Sequence, residues 1–185
     1  AQTVSARAAH CEASTKPVNS RCFLVSFLGT LSMKIVIMRH GDAVIGADDD
    51  AARALTATGR QQSRNMANWL QPQLPQVDLV LVSPYLRAQQ TWQTISDLFP
   101  GAKVETVAEL VPHGRASRVV DELLALQDEI ATVLVISHLP LVGYLVQSLC
   151  PAAGAPMFAT SGLACIEWQD GKGVLLWLEG PHTIR

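Results

Sequence analysis

Apolar residues recur along this chain in two rhythms. Short unbroken runs occupy residues 34–38 (Lys34-Ile35-Val36-Ile37-Met38), 77–82 and 132–136, interrupted within the second only by Asp78. Runs of Val, Ile and Leu this short predict strands buried on both faces, as in a parallel sheet. A shorter run at 104–107 predicts one more. Between the runs, apolar residues return every three or four positions. Residues 59–70 place Met66, Trp69 and Leu70 on one side and Gln61, Arg64 and Asn68 on the other. Residues 84–99 carry the stripe Leu86, Ala88, Trp92, Ile95 and Phe99, with Ser83 as cap and Pro84 in the first turn. Helices are also predicted over 115–127 and 139–149, the last apolar enough to be buried on most sides. Beyond a Pro/Ala/Gly loop at 151–156, residues 163–168 and 174–178 flank Asp170-Gly171-Lys172-Gly173. That pattern predicts a hairpin whose second strand lies at a sheet edge. The order βαβαβαβα with a terminal hairpin predicts an α/β fold, a three-layer α/β/α sandwich on a mostly parallel sheet.

The 185 residues divide unevenly. Residues 33–185 are expected to form one domain. Residues 1–32 show no periodicity and are expected to be a non-native or disordered extension before Met33. A signal peptide is the alternative, with the apolar stretch 23–31 behind Arg21, but no A-x-A-like site precedes Met33. A net charge of -2 excludes a general pull on nucleic acid, so any anion site must be a local cluster. No run reaches the roughly 18 apolar residues of a membrane span. Cys11, Cys22, Cys150 and Cys165 form no CxxC pair, which argues against structural zinc and for reduced thiols in a cytoplasmic protein.

The candidate chemistry sits where the strand-like runs end. Arg39-His40-Gly41 closes the first, Ser83-x-x-x-Arg87 follows the second, and Ser137-His138 closes the 132–136 run. In a parallel sheet all these ends share one edge, where ligands bind. Two arginines and two histidines, with no compensating carboxylate evident, make a positive pocket. Guanidinium forks match the oxygens of a dianionic phosphoryl group. Neighbouring cations disfavour an imidazolium, so His40 is expected neutral and able to attack phosphorus. Arg39, Arg87 and His138 would hold the phosphoryl oxygens and stabilise the charge of the transition state. A zinc site on the two histidines is disfavoured by the arginines and lacks a third ligand, so no metal or other cofactor is expected. Asp48-Asp49-Asp50 is expected to be a solvated loop, His113 and His182 surface residues. Thr56 or Thr58 is expected to cap a helix.

Four ordered blocks carry a resemblance. They are Arg39-His40-Gly41-Asp42-Ala43, Leu55-Thr56-Ala57-Thr58-Gly59-Arg60-Gln61-Gln62, Ser83-Pro84-Tyr85-Leu86-Arg87-Ala88-Gln89-Gln90-Thr91 and Val135-Ile136-Ser137-His138. Together they resemble the histidine phosphatase superfamily, also called phosphoglycerate mutase-like, over nearly all of residues 33–178. Within it, Glu109-Leu110-x-Pro112-x-Gly114 and Ser137-His138-Leu139-Pro140-Leu141-Val142 resemble the small bacterial phosphohistidine phosphatases of the SixA type. The resemblance implies a hydrolase with His40 as phospho-acceptor and Arg39, Arg87 and His138 as phosphate pocket. Many relatives place an acid after the third strand, which makes Glu109 a candidate proton donor. An imidazole leaving group needs less of the roughly 10²–10⁴-fold help a general acid supplies. No long insertion covers the site, and residues 42–55 and 151–161 are its only evident rims. The expected partner is therefore a phosphorylated protein, such as a histidine-containing phosphotransfer domain, dephosphorylated in signal transduction. No nucleic-acid or membrane partner is expected, and the oligomeric state stays open. The alternatives are hydrolysis of a small phosphomonoester, a sugar phosphate or nucleotide, and a non-catalytic phosphoprotein-binding module.

Overall fold

The first apolar run becomes the central strand β1 (Met33–Arg39), and its alternation divides the core in two. The computed structural model describes residues 32–46 and 48–184, so the expectations for 1–31 lie outside it. Met33, Ile35 and Ile37 face one layer, with Val119, Leu123, Leu145 and Val146. Val36 and Met38 face the other, with Met66, Leu70 and Ile95. Opposite faces follow from the two-residue period of a strand. The helices are α1 (Ala57–Leu70), α2 (Leu86–Ile95), α3 (Ala116–Ala125) and α4 (Leu141–Leu149). Helices α1 and α2 cover one face; α3 and α4 cover the other. The strands beside β1 are β2 (Leu79–Val82), β3 (Lys103–Thr106), β4 (Thr132–Ser137), β5 (Leu163–Gln169) and β6 (Lys172–Glu179). Their order is β3-β2-β4-β1-β5-β6, parallel from β3 to β1, with β5 and β6 antiparallel. This is the expected three-layer sandwich with its hairpin at one edge.

Several boundaries move for local reasons. Asp78 delays β2 because its carboxylate accepts from the amides of Ala131 and Thr132, tying the start of β4 to the residue before β2. The second helix begins at Leu86, later than expected. Tyr85 is extended, with φ -67° and ψ 137°, and Ser83 is no helix cap. Strand β3 differs from the buried runs: all four of its residues are exposed at the sheet edge. Helix α4 is less enclosed than its composition implies, since Tyr144, Gln147 and Ser148 are exposed. The β5–β6 turn needs left-handed backbone at Asp170 (φ 52°) and Gly171 (φ 73°), which suits an Asp-Gly pair. Among the described residues no helix is long and apolar enough to cross a membrane.

Register is what the site depends on. Arg39 lies opposite Ser137, and Val82 opposite Ile136. The C-terminal ends of β1, β4 and β2 are therefore level and adjacent.

Candidate active site

His40, His138 and Ser83 are the first residues past those three ends. The His40 amide donates to the Ser137 carbonyl at 2.9 Å, and the Ser83 amide to the Ile136 carbonyl at 3.0 Å, so the ladder still holds both backbones. The two imidazoles lie 4.8 Å apart between centroids. The first turn of α2 carries Arg87 back over this edge, where it is 3% exposed. Its Nε donates to His40 Nε2 at 3.1 Å. Thr91, one turn further along α2, fastens the two blocks together. Its hydroxyl donates to the Arg87 carbonyl at 2.7 Å and accepts from the Gly41 amide at 3.1 Å. Arg39 crosses to the other rim, where Nη1 donates to the Phe158 carbonyl at 2.8 Å.

The protonation pattern follows from these contacts. His40 Nδ1 lies 2.6 Å from the Gly41 carbonyl oxygen, which can only accept. The ring proton is therefore on Nδ1, and Nε2 is unprotonated, its lone pair accepting from Arg87 Nε. Burial lowers the His40 pKa to about 4, with Arg87, Arg39 and Arg53 adding to the shift against the Gly41 bond. Burial, then the neighbouring His40 and Arg87, lowers His138 to about 2. Both rings are neutral at pH 7. His138 Nε2 lies 2.7 Å from Ser83 Oγ, which also accepts from the Tyr85 amide at 3.3 Å. Tyr85 stacks obliquely on His138 at 5.0 Å, under the Arg87 guanidinium. Arg39 Nε and His138 Nδ1 are buried with no hydrogen-bond partner. Buried polar atoms are rarely left so, and here both belong to the same cluster. An unprotonated ring nitrogen that exchanges its Arg87 bond for phosphorus, beside two guanidiniums and two unengaged polar atoms, can receive a tetrahedral anion and attack it.

The structure thus brings Arg39, His40, Arg87 and His138 together and leaves Glu109 out. Glu109 lies in the 3-10 turn Ala108–Leu110. Its carboxylate accepts from the Arg115 amide and pairs with the Arg115 and Arg118 side chains. Those contacts hold its pKa below the usual range, led by the Arg115 amide bond. That is the wrong direction for a group asked to carry a proton at neutral pH.

A second correction concerns the acidic loop. Asp50 was expected in solvent, and the cluster was expected to lack a carboxylate. Instead Asp50 accepts from Arg87 twice, through its carbonyl at 2.5 Å and through Oδ2 at 3.0 Å. Arg53, also missed, holds the other carboxylate oxygen at 3.0 Å. No periodicity marks a loop residue that closes on a helix, so neither had a signal. Ser83 did have one, since it stands in the block that contains Arg87, but it read as a helix cap. Among the described residues no group of three or more His, Cys, Asp or Glu could hold a metal ion.

Comparison with known proteins agrees with this geometry. The profile of the "Histidine phosphatase superfamily (branch 1)" matches residues 35–112. The phosphohistidine phosphatase SixA of Escherichia coli (strain K12) is 46% identical over 156 residues, covering 83% of this chain and 97% of its own. A SixA homolog from Haemophilus influenzae is 37% identical over 161 residues, covering 82% and 98%. A structure of the protein histidine phosphatase SixA complexed with tungstate superposes with a TM-score of 0.79 at 46% identity, covering 83% of this chain and all of that one. An alpha-ribazole phosphatase from Shigella flexneri shares the fold, with a TM-score of 0.67 at 21% identity, covering 80% and 97%.

Proposed function

The chain belongs to the histidine phosphatase superfamily, and on that premise we propose that it hydrolyses phosphohistidine on a partner protein, passing the phosphoryl group through His40. The observation that carries this reading is the unprotonated Nε2 of His40, which accepts a hydrogen bond from the Arg87 guanidinium. Nε2 attacks phosphorus, forming one P–N bond as the P–N bond to the partner's imidazole breaks. The leaving imidazole takes a proton from solvent. Water then attacks the phosphoryl group on His40, forming a P–O bond and releasing inorganic phosphate with Nε2 restored. Arg87 and Arg39 offset the charge on the transferring oxygens. Ser83 completes its hydrogen bonding when its hydroxyl donates to His138 Nε2, which leaves the His138 proton on Nδ1 as a donor to a phosphoryl oxygen.

Glu109 has no step in this scheme, because imidazole is a good leaving group once protonated. Glu109→Gln is expected to keep turnover within a few-fold, where loss of a working general acid would cost about 10²–10⁴-fold. The partner is a phosphorylated protein whose histidine projects from its surface; a histidine-containing phosphotransfer domain fits that description. The decisive test is turnover of such a phosphorylated domain beside a panel of small phosphomonoesters. Histidine-borne phosphate should be released, and His40→Asn should lose on the order of 10³-fold or more. Undiminished turnover in that variant, or exclusive action on the small esters, would refute the reading.

A further inference from the structure

Arg87 is buried, yet each of its three guanidinium nitrogens already donates. Nε goes to His40, and both Nη atoms go to Asp50. Asp50 is ionised at neutral pH like any exposed carboxylate, and the bond from Arg53, then that from Arg87, lowers its pKa further. The two partners differ in freedom. The Arg87 side chain is 4% exposed, whereas that of Asp50 is 53% exposed and lies on the solvent side of the pair. The Asp50 carboxylate can turn into water while its backbone carbonyl keeps Nη1; Arg87 cannot follow. A carboxylate and a phosphoryl group present oxygens to a guanidinium in the same way. Nη2 carries two N–H groups, so the two anions compete for Arg87 through the repulsion of their like charges on one buried guanidinium.

We propose that Asp50 is an internal competitor for the phosphoryl group, holding Arg87 in the free protein until substrate oxygens replace it on Nη2. This rests on the phosphoryl site described above and adds a specificity to it. A tethered carboxylate competes at an effective concentration in about the millimolar range. A monoanion, such as a carboxylate or a phosphodiester, offers Arg87 no more charge than Asp50 does. A dianionic terminal phosphoryl group brings a second charge, shared with Arg39, and wins the exchange. Asp50 therefore selects terminal phosphoryl groups against phosphodiesters, and it speeds release of the phosphate product by returning to Arg87.

Calorimetric titration with inorganic phosphate tests this on the wild type, Asp50→Asn, Asp50→Ala and Arg87→Ala. Charge-assisted hydrogen bonds are worth enough that both Asp50 variants should bind phosphate about tenfold tighter. The KM for para-nitrophenyl phosphate should fall with it, without a proportional gain in kcat. Dimethyl phosphate, a monoanion, should inhibit the Asp50 variants and not the wild type. Unchanged or weaker phosphate binding in either Asp50 variant would overturn the proposal, because a residue that merely orients Arg87 predicts that result. Failure of dimethyl phosphate to inhibit the variants would overturn the charge selection. Phosphate binding that survives Arg87→Ala unaltered would instead refute the phosphoryl site itself.

Discussion

His40 has its proton on one ring nitrogen and its reactivity on the other, and a single carbonyl decides which is which. The Gly41 oxygen takes Nδ1–H at 2.6 Å, and burial with three nearby arginines lowers the pKa to about 4. The nucleophile should therefore stay unprotonated well below the ordinary histidine range. The acidic limb of kcat/KM that belongs to His40 is expected near pH 4 rather than 6.5, read from a pH–rate profile. Arg87 contributes a fork, not only a charge, since three of its nitrogens point to separate acceptors. Removing a preorganised donor of this kind costs on the order of 10²–10³-fold in kcat. Arg87→Ala should show that loss in single-turnover measurements, and Arg87→Lys should recover little of it, because an ammonium cannot reproduce the fork.

At the scale of elements, the site depends on one close approach. A Cβ at Gly59 in the first turn of α1 would lie 2.1 Å from the Asp42 carbonyl oxygen, and one at Gly41 would lie 2.6 Å from the Gly59 carbonyl. Only two glycines let α1 press on the backbone that follows His40. Thr56 closes the same junction: its hydroxyl accepts from the Gly59 amide at 2.9 Å and donates to Asp42 Oδ2 at 2.8 Å. Gly59→Ala is expected to destabilise the protein by about 1–3 kcal/mol through overpacking. Activity should fall further than that, because the displaced segment carries Gly41, the acceptor of His40. Urea denaturation beside turnover measures both. A loss of stability with full activity would show that the junction does not position the site.

The whole molecule records the two neutral histidines in its stability. In the unfolded chain they titrate near 6.5; folded, they titrate near 4 and 2. Between pH 6.5 and 4 the unfolded state binds more protons, so stability rises with pH and falls as the solution is acidified. Below about 4 only His138 still contributes to that slope. Tm should drop steadily from pH 7 to 5, and His138→Gln should drop less steeply. A Tm independent of pH across that window would mean the rings are charged or exposed. Turnover is expected to persist in EDTA, since the arginines supply the positive charge that a metal would otherwise bring to the phosphoryl oxygens.

Strand runs, helical stripes and the Asp170-Gly171 turn were legible because each is a local matter of burial and backbone preference. From them followed the layered sheet and, by the rule that parallel strands end on one edge, the meeting of Arg39, His40, Arg87 and His138. Loop contacts had no such rule. Asp50 pairs with Arg87 across 37 residues, and Arg39 with the Phe158 carbonyl across 119. Glu109 turned to Arg115 and Arg118, and Ser83 to His138, because those partners lie nearer in the folded chain. Periodicity specifies which face a residue turns to the core. Which charge meets which is decided only when separate segments are brought within hydrogen-bond reach.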